Sequence, residues 1–358
     1  MNFVLVIKSS TNSLFSHFLI QLKMSSIKLP WTLSLKITIF EFIVNACRRS
    51  NGTVNRPLCN FFDRIAPTSK TPQNGVVTSD VAVDSSRNLW FRLFTPTTIP
   101  KGGYELGSLP IIIYFHGGGF AFLSAGSIVY DEWCRRVARE LQAVVVSVNY
   151  RLAPEHQFPC QYEDGMDALK FLDSNLQELP INVNPKWCFL AGDSAGGNLA
   201  HHVAVKAGEY NFSNLKMLGL VSLQPFFGGE ERTESEIKND RNPLLSLDFT
   251  DWYWKVFLPN GSNRDHPAAN VFGPKSSVDM IPDTFPATLL FVGGLDLLKD
   301  WQMKYYEGLK KAGKEVYLVE DPKAFHCSFM YKEFPEYNLF VKEIEDFMLK
   351  QMKGTINN

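Results

Sequence analysis

The sequence predicts an α/β fold in which helices flank a central, mostly parallel sheet. Short apolar runs alternate with segments of helical periodicity along most of the 358-residue chain. Three of the apolar runs are followed at once by glycine-rich turns, at residues 116–119, 192–197 and 293–294. Glycines after buried parallel strands let the backbone turn sharply and approach a ligand. These turns therefore indicate one site at the edge of the sheet.

The composition fits one large domain with a cap. The chain carries 36 Lys and Arg against 37 Asp and Glu, and 45% of its residues are hydrophobic. Such a chain can bury a large core, and its near-neutral charge gives no reason to expect a nucleic-acid partner. Six cysteines are too sparse for a disulfide scaffold. No apolar run approaches about eighteen residues, so we predict no transmembrane helix and expect a cytoplasmic location, with the nucleus also open.

The N-terminal part of the chain contains one clear helical pattern. Residues 31–49 place apolar side chains at helical spacing, and a helix ahead of the first strands is expected to act as a cap or lid. Residues 1–30 carry lysines but no acid, a weak likeness to a transit peptide. We interpret them instead as a disordered extension, with an alternative start at Met24. Residues 31–358 are predicted to form a single domain.

Apolar runs bounded by turn residues predict the strands, and helical periodicity predicts the helices between them. The expected strands are residues 75–84, 88–95, 111–115, 143–148, 187–191, 218–223, 287–292 and 315–320. The expected helices after the first are residues 131–141, 162–172, 197–205, 301–312 and 337–352.

Two segments interrupt this alternation. Residues 56–71 are expected to form a loop-rich connector. From residue 226 to residue 285 the alternation stops, and an insertion of that length is usually a lid or a binding element. We therefore predict a cap built from residues 31–60 and 226–285.

The turn after the fifth strand has the pattern G-x-S-x-G, with Ser194 at its centre. An apolar run precedes it and helical spacing follows it, which is the strand–turn–helix setting of a nucleophile elbow. Such a turn raises the serine oxygen above the sheet. The amide of Ala195 then lies at a helix N-terminus, where it can face an anion. The pattern alone also arises by chance, so its interpretation depends on the two other turns.

The turn after the third strand reads His-Gly-Gly-Gly at residues 116–119. Consecutive glycines can present backbone amides without side-chain obstruction, and such a turn can donate two hydrogen bonds to a developing oxyanion. The alternative is a tight turn that merely tolerates glycine.

Ser194, Asp296 and His326 occur in the order Ser, Asp, His, each just past a predicted strand. Serine needs an imidazole to accept its proton, and a carboxylate must orient that imidazole. Of the seven histidines, only His326 follows both the acid and the last strand. Asp300 is a rival acid, one helical turn further on. Residues 151–156 hold an arginine, a glutamate and a histidine, for which we expect an internal charge network rather than catalysis.

At these motifs the chain resembles hydrolases of the hormone-sensitive-lipase type within the α/β-hydrolase fold, in particular the plant carboxylesterases. The resemblance extends from about Trp31 to the C-terminal helix and rests on residues 116–119, 150–156 and 192–198, on Asp296 and on His326. It implies an oxyanion hole formed by the backbone amides of Gly117, Gly118 and Ala195. It implies no metal and no organic cofactor.

The resemblance also implies a function. The function that it implies most directly is that of a serine carboxylesterase, which hydrolyses esters of small acyl groups through a Ser-His-Asp triad and an acyl-enzyme intermediate. The same family includes gibberellin receptors, which keep the serine and the acid but have lost the catalytic histidine, and dehydratases or cyclases of plant metabolites, often with a changed nucleophile. His326 and Ser194 favour the esterase over both alternatives. The expected partner is a small-molecule ester, and the oligomeric state stays open.

Overall fold

A computed structural model describes residues 27, 29–97, 108–180, 182–331, 334 and 337–356. Most of the predicted extension, residues 1–26 and 28, lies outside the described residues. In the described part an eight-stranded sheet runs in the order β1-β2-β4-β3-β5-β6-β7-β8. Its strands are β1 (Val76–Asp84), β2 (Leu89–Pro96), β3 (Leu109–Phe115), β4 (Val144–Asn149), β5 (Val183–Asp193), β6 (Met217–Leu223), β7 (Ala287–Gly293) and β8 (Val316–Asp321).

The sheet is antiparallel only at one side. β1 pairs antiparallel with β2, and β2 with β4. Every later pairing, from β3 with β4 to β7 with β8, is parallel. The predicted α/β architecture with a mostly parallel sheet is therefore confirmed, and the parallel strands end at one common edge.

The helices of the described part cover both faces of the sheet, and some lie in the two segments predicted to form a cap. They are α1 (Trp31–Cys47), α2 (Arg56–Phe62), α3 (Ile128–Glu140), α4 (Cys160–Ser174), α5 (Ala195–Gly208), α6 (Glu234–Asn239), α7 (Leu247–Phe257), α8 (Lys299–Lys311) and α9 (Tyr337–Ile356). Within these residues no helix combines the length and the apolar character that a membrane span needs.

The core lies on both faces of the sheet because successive strand residues point in opposite directions. In β3, Ile111 and Ile113 belong to the apolar cluster that includes residues of α4 and α5. Ile112 and Tyr114 belong to the cluster that includes residues of α3 and α9. All four side chains are buried. This burial on both faces explains why the central strands read as continuous apolar runs.

Three helices differ from the sequence-based expectation. α2 lies in the segment expected to be a loop-rich connector, and its seven residues start with Arg56 and a proline in the first turn. None of its residues is fully buried, so its sequence shows no apolar face from which a helix could be predicted. α6 and α7 lie in the insertion. Both helices are too short to show helical periodicity in the sequence, and each is marked only by its N-terminal cap. α6 begins with a Thr233–Glu236 capping box, and in α7 the Ser246 side chain accepts from the Phe249 amide.

The first helix contacts the insertion and the loop before the last helix. Leu33 and Ile37 cluster with Phe325. The buried Glu41 accepts a hydrogen bond from the Leu244 amide at 2.8 Å. α1 therefore packs against the segment next to His326, which is the geometry a cap requires.

Candidate active site

Ser194 lies at the sharp turn between β5 and α5. Its backbone has φ 51° and ψ −120°, a region that non-glycine residues rarely adopt. The turn needs glycine on both sides. A Cβ at Gly192 would lie 2.2 Å from the Gly196 carbonyl oxygen, and one at Gly196 would lie 1.9 Å from the Phe115 carbonyl oxygen. The predicted strand–turn–helix geometry is therefore present, and its close packing fixes the position of the serine.

The structure brings Ser194, His326 and Asp296 into one hydrogen-bonded line. The His326 Nε2 lies 2.9 Å from the Ser194 Oγ, and its Nδ1 lies 2.9 Å from the Asp296 Oδ2. The three come from the ends of β5, β8 and β7, and all are buried. When the ring carries its proton on Nδ1 and donates it in a hydrogen bond to Asp296, the Nε2 lone pair faces the serine hydroxyl. This arrangement can transfer a proton from the serine to the imidazole.

Two further groups orient the carboxylate of Asp296. The Leu298 amide donates to Oδ1 at 2.9 Å, and the Gln302 side chain donates to Oδ2 at 2.8 Å. Gln302 lies in the first turns of α8 and has no sequence motif that would have pointed to it. The rival acid, Asp300, accepts from the Ser235 amide at 2.8 Å instead. Geometry therefore selects Asp296 as the partner of His326.

The protonation of His326 depends on two opposing effects. Burial disfavours the charged ring, but the adjacent Asp296 carboxylate outweighs this and raises the pKa of His326 well above its ordinary value. The neutral ring, which alone can accept the serine proton, therefore predominates only as the pH rises.

The glycine run after β3 revises the expected oxyanion hole. The Gly117 amide donates to the Tyr130 hydroxyl at 2.7 Å and to the Asp193 Oδ1 at 3.0 Å, so it is not available to an oxyanion. The structure therefore does not favour Gly117 as an oxyanion donor. Within the described ranges, the amides of Gly118, Gly119 and Ala195 donate to no protein acceptor. The third glycine was visible in the sequence, but which amides stay free depends on contacts from distant residues.

The loop after β4 supports the same turn. The Tyr150 hydroxyl donates to the His116 carbonyl at 2.7 Å, and the two rings stack with centroids 4.3 Å apart. The expected network within residues 151–156 is not formed. Arg151 pairs with Asp164 at 2.9 Å instead. The glutamate of that loop pairs with an arginine of α2. These charges join the loop to α4 and α2, so the predicted structural role has different partners.

Comparison with known proteins identifies the scaffold. Residues 112–330, more than half of the chain, match the family described as alpha/beta hydrolase fold. The chain belongs to the α/β hydrolase fold family. Its sequence-based resemblance to the hormone-sensitive-lipase type and to plant members of that type is confirmed by its relatives.

Two curated relatives and one solved structure illustrate what this α/β hydrolase is similar to. The gibberellin receptor GID1C of Arabidopsis thaliana is 46% identical over 79% of this chain and 83% of the receptor. The probable carboxylesterase 6 of the same plant is 41% identical over 70% of this chain and 74% of that protein. A Pyrobaculum calidifontis esterase superposes with a TM-score of 0.65 at 28% identity, over 76% and 84% of the two chains.

The cap of this α/β hydrolase places an aromatic side chain on the glycine run. A Cβ at Gly119 would lie 2.4 Å from the ring of Tyr253, which belongs to α7. Phe122, just after the glycines, contacts the same ring with centroids 6.1 Å apart, and Phe249 stacks on it. The insertion therefore reaches the active-site edge, although the sequence alone could not say which of its aromatics do so.

A resident metal is not indicated by the donor set. Among the residues that the structure describes, no group of three or more His, Cys, Asp or Glu side chains is arranged to hold an ion. The expectation that the protein needs no cofactor stays a prediction.

Proposed function

We propose that the protein is a serine carboxylesterase that hydrolyses esters of small acyl groups. The observation that carries this proposal is the position of His326 between Ser194 and Asp296, at 2.9 Å from each. In this arrangement a hydroxyl donates to an imidazole, and a buried carboxylate orients that imidazole. Such an arrangement catalyses acyl transfer. The resemblance implies that gibberellin receptors lack this histidine. Its presence here therefore supports ester hydrolysis rather than ligand binding alone.

The reaction follows from these contacts. Ser194 Oγ attacks the ester carbonyl while its proton moves to the His326 Nε2, and Asp296 stabilises the resulting imidazolium. The amides of Gly118, Gly119 and Ala195 are the donors that we assign to the oxyanion. His326 then returns the proton to the leaving alcohol, which leaves an acyl group on the serine. A water molecule, activated by the same imidazole, releases the acid.

The preference for small acyl groups rests on the cap. The Tyr253 ring lies against Gly119 and is itself packed on Phe122 and Phe249, so it cannot withdraw without moving α7. Space beside the oxyanion donors is therefore limited on that side. A longer acyl chain has to enter by another route or displace this ring.

The test is turnover of p-nitrophenyl esters of rising acyl length, together with labelling by a fluorophosphonate probe. The protein is expected to hydrolyse the acetate and butyrate esters faster than long-chain esters. Ser194→Ala should lower kcat by about 10⁴-fold or more and abolish labelling. Ser222→Ala is the control, because it removes a buried hydroxyl from the neighbouring strand β6. Equal labelling of Ser194→Ala and the parent protein would remove this serine from the mechanism.

A gibberellin-binding receptor is the second candidate, and the 46% identity to the receptor GID1C favours it. The two functions separate when hydrolysis and gibberellin binding are measured on the same protein. His326→Ala should remove turnover and leave any ligand pocket intact. Saturable hormone binding without hydrolysis of any ester would overturn the enzyme proposal.

A further inference from the structure

The residue before Ser194, Asp193, is a fully buried carboxylate. Its Oδ1 accepts from the Tyr114 hydroxyl at 2.7 Å and from the Gly117 amide at 3.0 Å. Its Oδ2 accepts from the Tyr130 hydroxyl at 2.9 Å and faces the Cys327 Sγ at 3.8 Å. Every neighbour is a donor, which matches the four lone-pair sites of an ionised carboxylate.

These contacts join three separate parts of the active site. Asp193 is covalently next to Ser194. Gly117 begins the glycine run after β3, and Cys327 is covalently next to His326 on the loop after β8. One side chain therefore links the turns that carry the nucleophile, the oxyanion donors and the base.

A carboxylate is a costly choice for a merely structural link. A buried charge is unfavourable unless it is paired or fully hydrogen-bonded, and neutral side chains often replace it without loss of stability. Within the described residues, no Lys or Arg lies within 4.0 Å of Asp193. Burial raises the pKa of Asp193, whereas the two tyrosines, the Gly117 amide and a charged His326 act in the opposite direction. A protonated His326 is one of the neighbours that favour this negative charge, so the imidazolium formed during proton transfer gains from it in turn.

We propose that Asp193 is a positioning residue of the hydrolytic reaction. Through the Gly117 amide it anchors the segment whose next two amides are free for the oxyanion. Through the Cys327 thiol it contacts the residue next to His326, and its charge favours the protonated form of that ring. This inference rests on the proposed esterase function, and it explains why the first glycine of the run serves as an anchor.

The test uses Asp193→Asn, which keeps the size of the side chain but places an amino group against groups that are all donors. We expect kcat for p-nitrophenyl acetate to fall by about 10²-fold, comparable to the loss of one oxyanion donor. KM should change by no more than about twofold, because the Asp193 side chain is fully buried. The midpoint of the rise of kcat with pH should move to lower pH, because the imidazolium loses a negative neighbour.

Asp173→Asn is the matched control. This carboxylate, at the C-terminal end of α4, is also buried and accepts hydrogen bonds from the backbone amides of residues 213–215. Those residues precede the start of β6, whereas Ser194 follows the end of β5. The Asp173→Asn protein should be less stable than the parent, but its kcat and the pH dependence of its kcat should equal those of the parent. A folded Asp193→Asn protein with unchanged kcat and pH profile would overturn the proposal. So would an equal loss of kcat in both variants.

Hydrogen exchange separates this proposal from the proposed function, because it needs no turnover. The amide of Gly117 should exchange faster in Asp193→Asn than in the parent, and unchanged protection would contradict the anchoring role even in a protein without esterase activity. Tyr130→Phe is the second variant if Asp193→Asn does not fold. It removes one of the two acceptors of the Gly117 amide, so it should accelerate the same exchange and lower kcat less than the loss of the carboxylate does. Absent turnover and labelling of the parent protein would contradict the esterase proposal alone.

Discussion

Ser194 and the residues that contact it show how much of the chemistry depends on single hydrogen bonds. The imidazole of His326 makes one bond to the serine and one to Asp296, and Asp296 receives two further donors. Both ring nitrogens of His326 are thereby used, and both oxygens of the Asp296 carboxylate accept a hydrogen bond. Substitutions at this scale should therefore act on turnover far more than on folding.

The acid of the triad is tested by two matched substitutions. Asp296→Asn should lower kcat by about 10⁴-fold, because an amide cannot hold the required tautomer or stabilise the imidazolium. Asp300→Asn changes a carboxylate that accepts from the Ser235 amide, so its kcat should stay within about threefold of the parent. Steady-state kinetics on a p-nitrophenyl ester decide the point. A larger loss in Asp300→Asn would mean that the acid is misassigned.

The pH dependence of kcat/KM tests the same assignment of Asp296. The Asp296 carboxylate raises the pKa of His326, so kcat/KM should rise with pH through a midpoint above the ordinary histidine value near 6.5. The direction follows because only the neutral ring accepts the serine proton. The residual activity of Asp296→Asn should show a midpoint at lower pH. A midpoint that does not move would show that Asp296 does not influence the base.

A third residue-scale prediction concerns Gly118, whose φ of +104° suits glycine. A Cβ there would lie 2.3 Å from the Phe122 carbonyl oxygen, so Gly118→Val has to move the loop and its amide. We expect kcat to fall by about 10²-fold or more. Gly313→Val is the control, since Gly313 also has a positive φ, +69°, but has open space around its Cβ position. Unchanged kcat in folded Gly118→Val would remove this glycine from the mechanism.

At the scale of elements, α1 connects the N-terminal part of the described chain to the loop that carries His326. Leu33 and Ile37 are buried against Phe325, which precedes His326. Arg48, just after the helix, bonds to Asp248 of α7. The helix thus contacts both predicted cap segments and packs against the residue before His326.

This role of α1 predicts the effect of shortening the chain. A protein that begins at Met24 should keep full activity, whereas one that begins after Arg49 should lose the cap contacts and most of its turnover. Ile37→Ala should reproduce part of this loss, because it opens a cavity beside Phe325. Ile39→Ala is the control, since Ile39 on the same helix is 44% exposed. Equal ester hydrolysis by both shortened proteins would refute a role for α1.

At the scale of the whole molecule, a buried histidine on α5, the helix that follows Ser194, influences how stability depends on pH. His201 on this helix is buried, and its Nδ1 lies 3.0 Å from the Tyr305 hydroxyl. Burial lowers the pKa of His201 well below its ordinary value near 6.5, so the folded state holds the ring neutral. The unfolded chain binds a proton there more readily. Stability from this residue is therefore complete above about pH 6.5 and is lost as the pH falls.

The prediction is that His201→Gln flattens the acid side of the stability profile. The free energy of unfolding should decrease less between pH 7 and pH 5 than it does in the parent, because one proton-binding group of the unfolded chain is gone. Urea unfolding at the two pH values measures this difference. His156→Gln replaces an exposed ring and should leave the parent slope unchanged. The same slope in His201→Gln as in the parent would contradict this origin of acid lability.

The strand and helix pattern and the order of Ser194, Asp296 and His326 were predictable from the sequence, because periodicity and turn chemistry depend on residues that are close along the chain. The short helices of the cap were not, since they have too few turns to show a period. The partners of Gly117 were not predictable either: Tyr130 is a near neighbour along the chain, but Asp193 is 76 positions away. Hydrogen bonds between such residues form only when the sheet order brings strand ends together, so tertiary structure alone decides which amide is anchored and which is free.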